Sequence, residues 1–367
     1  MCPMQVAPPG RTRPQLFDAL PALADALPWR PLVHAPTPIE HASAIAGWLG
    51  RDDVWMKRDD LASPLYGGNK VRRYEFLLAE VVARGARRIV TAGGLASTQV
   101  TATAVFGQAL GLAVRAVLFD QPITKYAKEA LLMDVSTGAE LIWGGGYLTT
   151  VLRTLRGLLR DRRDGNYFIM PGASSPTANL GYLDAALELA AQVERGEMPR
   201  PDAIVLPTGS SGTLAALALG TAWLGWDTEI IGVRIAPRLL CNRFTIGNVV
   251  RATDRFLRVR EPVRWRRSRP ARWSLYHGAI GAGYGYPTPE AIEAIDRVNA
   301  LTGQPGEVTY SAKALVGLRA IAQEPRWRGK TLLVWNTLST PRPPVAADAP
   351  ERVPQRLRWV LEAPEVA

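Results

Sequence analysis

The sequence predicts an α/β protein: two parallel-sheet domains with flanking helices and the functional site in the cleft between them. Three observations predict it. From residue 88 to 170, short aliphatic and β-branched runs alternate with helix-length segments, the pattern of βαβ units around a parallel sheet. The alternation starts again at Gly181 and continues to Trp335. Two turns of small residues, Gly67-Gly68-Asn69-Lys70 and Thr208-Gly209-Ser210-Ser211-Gly212-Thr213, each open a helix, the place where open α/β sheets hold ligands. With 367 residues the chain can bury two such cores.

The elements follow in order. Residues 1–35 are rich in Pro and Ala and read as an irregular arm with a short helix. Residues 37–50 read as an amphipathic helix, with Ile39, Ala42, Ile45, Ala46 and Leu49 at helical spacing. A short strand at 54–57 leads through a glycine loop into a helix at 71–84. Strands at 88–91, 113–119, 140–143 and 167–170 then alternate with helices at 97–110, at 125–137 and up to 160. The second set is a helix at 181–195, a strand at 203–206, a helix at 213–224 and a strand at 229–235. Helices at 289–301 and 311–322 and a buried strand at 331–335 complete it. This order assigns residues 1–70 with 171–345 to a large domain, 71–170 to a small one, and 346–367 to a peripheral tail.

Composition narrows the class. Hydrophobic residues make up 47% of the chain, and no apolar run approaches the ~20 residues that span a bilayer. Residues 1–17 are Pro-rich and lack the apolar core of a secretory signal, so a cytoplasmic, membrane-free protein is expected. Cys2 and Cys241 are too few for a disulfide framework, and His34, His41 and His277 have no metal-ligand spacing, so no metal is expected. The net charge is +11, with arginines clustered over residues 251–272. That segment reads either as a footprint for an anionic partner or as a solvated surface. No recognition motif accompanies it, and nucleic acid is not expected.

Two features carry chemistry. The 208–213 loop follows a strand and opens a helix. Its small residues let backbone N–H groups approach an anion, with hydroxyls and the helix N-terminus adding to the attraction. It lacks the G-K-[ST] ending of a nucleotide-binding loop. The alternative is a tight turn that only needs small residues. Lys70 opens a helix after two glycines, where the helix N-terminus lowers an amine's pKa and favours a Schiff-base lysine. Alone, it would read as a surface lysine.

Its company gives it meaning. Lys57-Arg58-Asp59-Asp60-Leu61, with Gly68-Asn69-Lys70-Val71-Arg72-Arg73-Tyr74-Glu75-Phe76-Leu77, resembles the family of D-cysteine desulfhydrase and 1-aminocyclopropane-1-carboxylate (ACC) deaminase. The resemblance runs through Gly93-Gly94-Leu95-Ala96-Ser97-Thr98-Gln99, Pro171-Gly172-Ala173-Ser174, Gly181-Tyr182, the 208–213 loop, Gly283-Tyr284-Gly285-Tyr286-Pro287-Thr288 and Tyr310 with Ala312-Lys313-Ala314. It covers roughly residues 35 to 340. It implies a pyridoxal 5'-phosphate enzyme of fold type II, the tryptophan synthase β fold, acting as a homodimer on a small amino acid. By the same resemblance Lys70 carries the cofactor, with Asn69 beside it. Thr208, Gly209, Ser210, Ser211, Gly212 and Thr213 hold its phosphate. Thr98 and Thr337 face its ring, Ser97 and Gln99 meet the substrate carboxylate, and Tyr284 and Tyr310 face the substrate, with Ser97 and the two tyrosines catalytic.

The chain also departs from the family pattern. Thr98 replaces an asparagine that bonds the cofactor's phenolic oxygen, Thr337-Leu338-Ser339 replaces Thr-Gly-Gly, and Glu307-Val308-Thr309-Tyr310 stands for Asp-Pro-Val-Tyr. Ser311, where a ring-opening deaminase would want an acid, favours α,β-elimination to a 2-oxo acid and ammonia. A β-replacement synthase, a diverged cofactor-binding protein and a basic interaction protein are the alternatives. Ser97 also suits a helix N-cap, and the tyrosines suit a core.

Overall fold

The computed structural model describes residues 11–160, 165–266, 271–303 and 306–366. Its strands, in chain order, are β1 (Ile39–His41), β2 (Val54–Lys57), β3 (Arg88–Gly94), β4 (Ala113–Phe119), β5 (Glu140–Gly145), β6 (Asn166–Ile169), β7 (Ala203–Thr208), β8 (Glu229–Arg234), β9 (Trp273–Tyr276) and β10 (Leu332–Trp335). Two sheets result, ordered β1-β2-β10-β7-β8-β9 and β5-β4-β3-β6. All pairs are parallel except β1 with β2. Parallel strands need helical crossovers, and the expected alternation supplies them.

The structure corrects the 37–50 helix. Ile39 pairs with Lys57 in β1, and the helix covers only Ser43–Leu49, ended by Gly50 at φ 66°. Backbone pairing along β2 claims Ile39, whose helical spacing to Ile45 is incidental. The 181–195 helix spans Pro176–Glu194 instead. Ser175 caps it by accepting from the Ala178 N–H, and Pro176 fits the first turn, where its missing N–H costs nothing.

A helix with no sequence-based expectation, Arg243–Arg260, is started by the Asn242 and Thr245 capping box. It carries much of the basic segment. Arg251, Arg255 and Arg258 are exposed while Ile246, Thr253 and Leu257 are buried; residues 267–270 lie outside the described residues.

The segment after residue 345 is not peripheral. Ala349, Val353, Leu357 and Val360 are buried with Leu131, Val135 and Leu141 beside the second sheet. The last three of the segment repeat at helical spacing, a signal masked by surrounding Pro and charge.

The first sheet's core is densest at the helix Gly212–Trp223, buried on nearly every side. A Cβ at Gly220 would lie 2.6 Å from the Ala186 Cβ, so the glycine lets this helix approach Pro176–Glu194 closely. Each fully buried leucine here contributes roughly 1.5–3 kcal/mol. The result is a rigid support beneath the 208–213 turn. Among the described residues, no helix is long and apolar enough to cross a membrane.

Candidate active site

The C-terminal ends of β3, β7 and β10 bring the site together. The lysine loop is fixed first. A Cβ at Gly67 would sit 1.9 Å from the Asp60 carbonyl oxygen, and one at Gly68, at φ 82°, would sit 2.5 Å from that of Thr337. Only glycine permits this approach. The Gly67 N–H donates to Ser339 Oγ (2.7 Å), Gly68 N–H to the Asp59 carbonyl (2.7 Å) and Asn69 N–H to the Thr337 carbonyl (3.2 Å). The helix Asn69–Ala83 starts there, two residues earlier than expected.

Lys70 is 7% exposed. Its Nζ donates to Asn69 Oδ1 at 2.9 Å, and Asn69 Nδ2 lies 3.4 Å from Thr213 Oγ1. The amine therefore lies inside, two side chains from the turn. Burial, then the Arg73 cation, hold its pKa well below the ordinary lysine range.

The 208–213 turn is tightly constrained. Ser211, a non-glycine, adopts a left-handed φ of 68°, strain of about 1–3 kcal/mol that the surrounding packing sustains. A Cβ on Gly212 would lie 2.4 Å from Asn179 Oδ1 and 2.6 Å from Ser174 Oγ. Ser174 Oγ donates to Ser210 Oγ at 2.8 Å. The N–H groups of the first helical turn have no intrahelical partners and point outward. Thr208 differs from the expectation. Its hydroxyl donates down to the Leu206 carbonyl (3.4 Å), and its carbonyl accepts from Ile235 N–H (3.1 Å) and Cys241 Sγ (3.4 Å). It anchors the turn from below, while Gly209 packs on Ile235.

Sequence reasoning quoted Arg73 without giving it a role. Its Nη2 donates to Thr213 Oγ1 (2.6 Å) and its Nη1 to the Gly172 carbonyl (2.7 Å) and Ser174 Oγ (3.0 Å). All three acceptors are neutral. Burial pushes its pKa down to about 10. A buried guanidinium with neutral acceptors, beside free N–H groups, suits a phosphate dianion. The residues present thus fit a phosphorylated aldehyde, with the anion at the turn and the carbonyl at Lys70. The signal was the double arginine itself: residues 72 and 73 lie about 100° apart on a helix and must face different partners.

Ser97, Thr98, Tyr284, Tyr310 and Thr337 occupy defined places near these loops. Ser97 caps the helix Thr98–Ala109, with Val100 N–H 3.4 Å from its Oγ. Tyr284 and Tyr310 hydroxyls meet at 2.5 Å, with the rings edge-on. Burial pushes Tyr284 well above the usual phenol range and Tyr310 to about 12, with the Thr98 side chain among the latter's hydrogen-bond partners. Both phenols are protonated near neutrality. Thr337 flanks the lysine loop.

Gln99 does not join the group. Its Nε2 donates to Thr91 Oγ1 (3.0 Å) and Thr103 Oγ1 (2.9 Å), and its Oε1 accepts from Gly172 N–H (3.3 Å). It ties β3, its own helix and the loop at Gly172 together instead of meeting a substrate, because its neighbours take both of its amide hydrogens. Gln121, unremarked in the sequence, lies nearer. It accepts from Ala96 N–H (3.1 Å), and a Cβ on Gly94 would collide with it, at 2.2 Å from its Oε1. No sequence motif marks it.

Known proteins bear on this geometry. The family model described as pyridoxal-phosphate dependent enzyme matches residues 31–337. The D-cysteine desulfhydrases of Salmonella paratyphi B and Salmonella newport are each 31% identical over 301 residues, covering 78% of this chain and 86% of theirs. A crystal structure of an ACC deaminase homologue superposes with a TM-score of 0.74 at 25% identity, covering 90% of this chain and 96% of that one. The processed form of threonine deaminase isoform 2 from Solanum lycopersicum shares the fold, with a TM-score of 0.59 at 18% identity over 99% of this chain and 92% of that one. A buried amine linked through Asn69 to the 208–213 turn, on a fold type II scaffold that the family model matches over residues 31–337, places this chain among the pyridoxal-phosphate-dependent enzymes.

Proposed function

We propose that the protein is a pyridoxal-phosphate-dependent lyase that eliminates a leaving group from Cβ of a small amino acid, as a D-cysteine desulfhydrase does. The observation that carries this reading is the buried amine of Lys70, its pKa lowered by burial, linked through Asn69 to the Thr213 end of the phosphate turn. In the proposed assignment Lys70 holds the cofactor, Arg73 and residues 209–213 hold its phosphate, and Thr98 and Thr337 flank its ring. Bound pyridoxal phosphate supplies an electron sink for negative charge at the substrate Cα.

The chain's residues do the rest. The lowered pKa of Lys70 raises the share of free amine able to take the Cα proton. Ser97 orients the substrate carboxylate. The Tyr284–Tyr310 pair, protonated at neutral pH, offers a proton to the departing thiolate at Cβ. The C–S electrons leave with sulfur, and water then converts the remaining enamine to a 2-oxo acid and ammonia. Thr337 carries a hydroxyl that cannot hold a proton on the ring nitrogen, which favours elimination over transamination. Elimination over ring opening is supported by Glu307. This carboxylate, nearest in sequence to Tyr310, accepts from Thr309, Tyr310 and Ser311 N–H at 2.6, 2.6 and 2.8 Å and so is occupied as a cap. A homodimer belongs to the reading. Leu148, Leu152, Leu155 and Leu159 turn outward from the helix Tyr147–Arg160, each more than half exposed, and such patches mark subunit contacts.

The test compares wild type with Lys70→Ala. Wild-type protein should show the visible absorbance of bound cofactor and yield pyruvate, sulfide and ammonia from D-cysteine within a panel of D- and L-amino acids. Lys70→Ala should lose both. Retained absorbance at full intensity in the variant would refute the assignment of Lys70, and a wild type that gives no 2-oxo acid from any member of the panel would refute elimination.

A further inference from the structure

We propose that Lys313 is a positioning residue for the Tyr284–Tyr310 pair: it clamps the loop that carries Tyr284 to the helix start that carries Tyr310. The proposal rests on the reading that these phenols serve the elimination. Lys313 Nζ donates to the Ile280 carbonyl at 2.8 Å and to the Gly283 carbonyl at 2.9 Å, and the side chain is fully buried. Lys313 lies in the first turn of the helix Ser311–Ala322, three residues after Tyr310, which is the N-cap residue at its start.

The loop needs such a tie. Gly281, Gly283 and Gly285 all have positive φ, at 62°, 156° and 78°, and glycine gives a loop little conformational preference of its own. Among the described residues, residues 280–285 are held by the two Lys313 bonds, a long Tyr286 N–H to Gly283 carbonyl bond at 3.4 Å, the tyrosine pair itself and the tilted contact of the Tyr284 ring with Phe119 at 6.0 Å. Burying an ammonium is costly unless its bonds are met. Here both acceptors belong to the one loop whose position sets the phenol contact. A lysine kept only for the helix would have no reason to reach across to it.

The test is a double-mutant cycle on the holoenzyme with Lys313→Met, Tyr284→Phe and the pair. Lys313→Met should keep the cofactor's absorbance and lower kcat by about tenfold or more, and it should add nothing further in the Tyr284→Phe background. Ultraviolet difference titration, with the Phe variant as blank, should find the Tyr284 phenol ionising at lower pH in Lys313→Met, because the ring loses its buried seat. With its own pKa pushed down to about 8 by burial, Lys313 is already neutral where the phenol titrates, so loss of its charge alone would not move the phenol. Additive losses, an unchanged kcat with only a lower melting temperature, or a phenol that stays in place or shifts to higher pH each overturn the proposal. Lys313→Gln, which keeps an N–H donor, runs the same cycle if the methionine variant does not fold. A Tyr284→Phe enzyme as fast as wild type refutes the tyrosine reading, and the proposal with it. If the wild type turns over nothing, the proposed function fails and the phenol titration alone decides the clamp.

Discussion

Arg72 and Asp59 face each other through two parallel hydrogen bonds, Nε to Oδ2 at 2.9 Å and Nη2 to Oδ1 at 2.8 Å, with both side chains fully buried. Asp59 Oδ2 also accepts from Tyr182 Oη (2.7 Å) and Trp335 Nε1 (2.6 Å). Arg72 reaches Glu188, which in turn accepts from Lys57 Nζ at 2.7 Å. One carboxylate thus ties the helix that starts at Asn69–Lys70 to β10 and to Pro176–Glu194. The cluster balances two cations against two anions, so it stands only while complete. Asp59→Ala should cost about 3–5 kcal/mol, since it leaves a buried guanidinium short of its partner. Arg72→Lys should also destabilise, because an ammonium cannot make the paired geometry. Urea unfolding at fixed cofactor concentration measures both.

The phosphate turn makes a separate prediction. Gly212→Ala places a methyl where Asn179 and Ser174 side chains already lie. The turn must open, and cofactor affinity should fall at least about tenfold, roughly 1.4 kcal/mol. Gly157→Ala, with nothing within 4 Å of the new Cβ, should leave affinity unchanged and add about 0.5–1 kcal/mol of helix stability. Titration followed by visible absorbance distinguishes them. Equal affinities for wild type and Gly212→Ala would end the account of the turn.

Much of this arrangement was legible in the sequence because it depends on local rules. β4 and the helix Ser311–Ala322 agree with their expected bounds, and the two glycine turns each open a helix as expected. Buried helices of the first sheet were found because small and apolar residues run through them. What local rules cannot reach is a role decided by a distant partner. Gln99 looked like a substrate residue until Thr91, Thr103 and Gly172 were seen to use its amide. Arg73 and Gln121 gain meaning only from residues about 100 and 25 positions away. The Arg243–Arg260 helix was hidden for another reason: its narrow apolar face is crowded by charge.

Ser97 can be a cap, a substrate group or both, and two variants separate these. Ser97→Ala should lose about 0.5–2 kcal/mol of stability from the cap together with most turnover. Ser97→Asp restores a good cap while placing negative charge beside the substrate carboxylate. Its melting temperature should approach the wild type while KM rises steeply. A Ser97→Asp enzyme with wild-type KM would leave only the cap.

Asp134 gives the clearest pH signature. It is 1% exposed in the helix Lys125–Ser136, and burial pushes its pKa up to about 8 from 3.8, against an opposing pull from Thr101. The folded chain therefore holds a proton that the unfolded chain releases near pH 4. Below that pH the group's contribution to stability is fully present. Between about 4 and 8 stability falls as pH rises, by at most about 1.4 kcal/mol per pH unit for one proton, and above 8 the loss is complete. Glu75, pushed up to about 7 mainly by burial, slopes in the same direction, so wild type alone cannot isolate Asp134. Asp134→Asn can, because the amide keeps an N–H donor and has no proton to lose. The variant's stability relative to wild type should improve from pH 5 to pH 7 and again to pH 9 in urea unfolding. A difference that stays constant across the three would mean that Asp134 is ionised in the folded protein throughout.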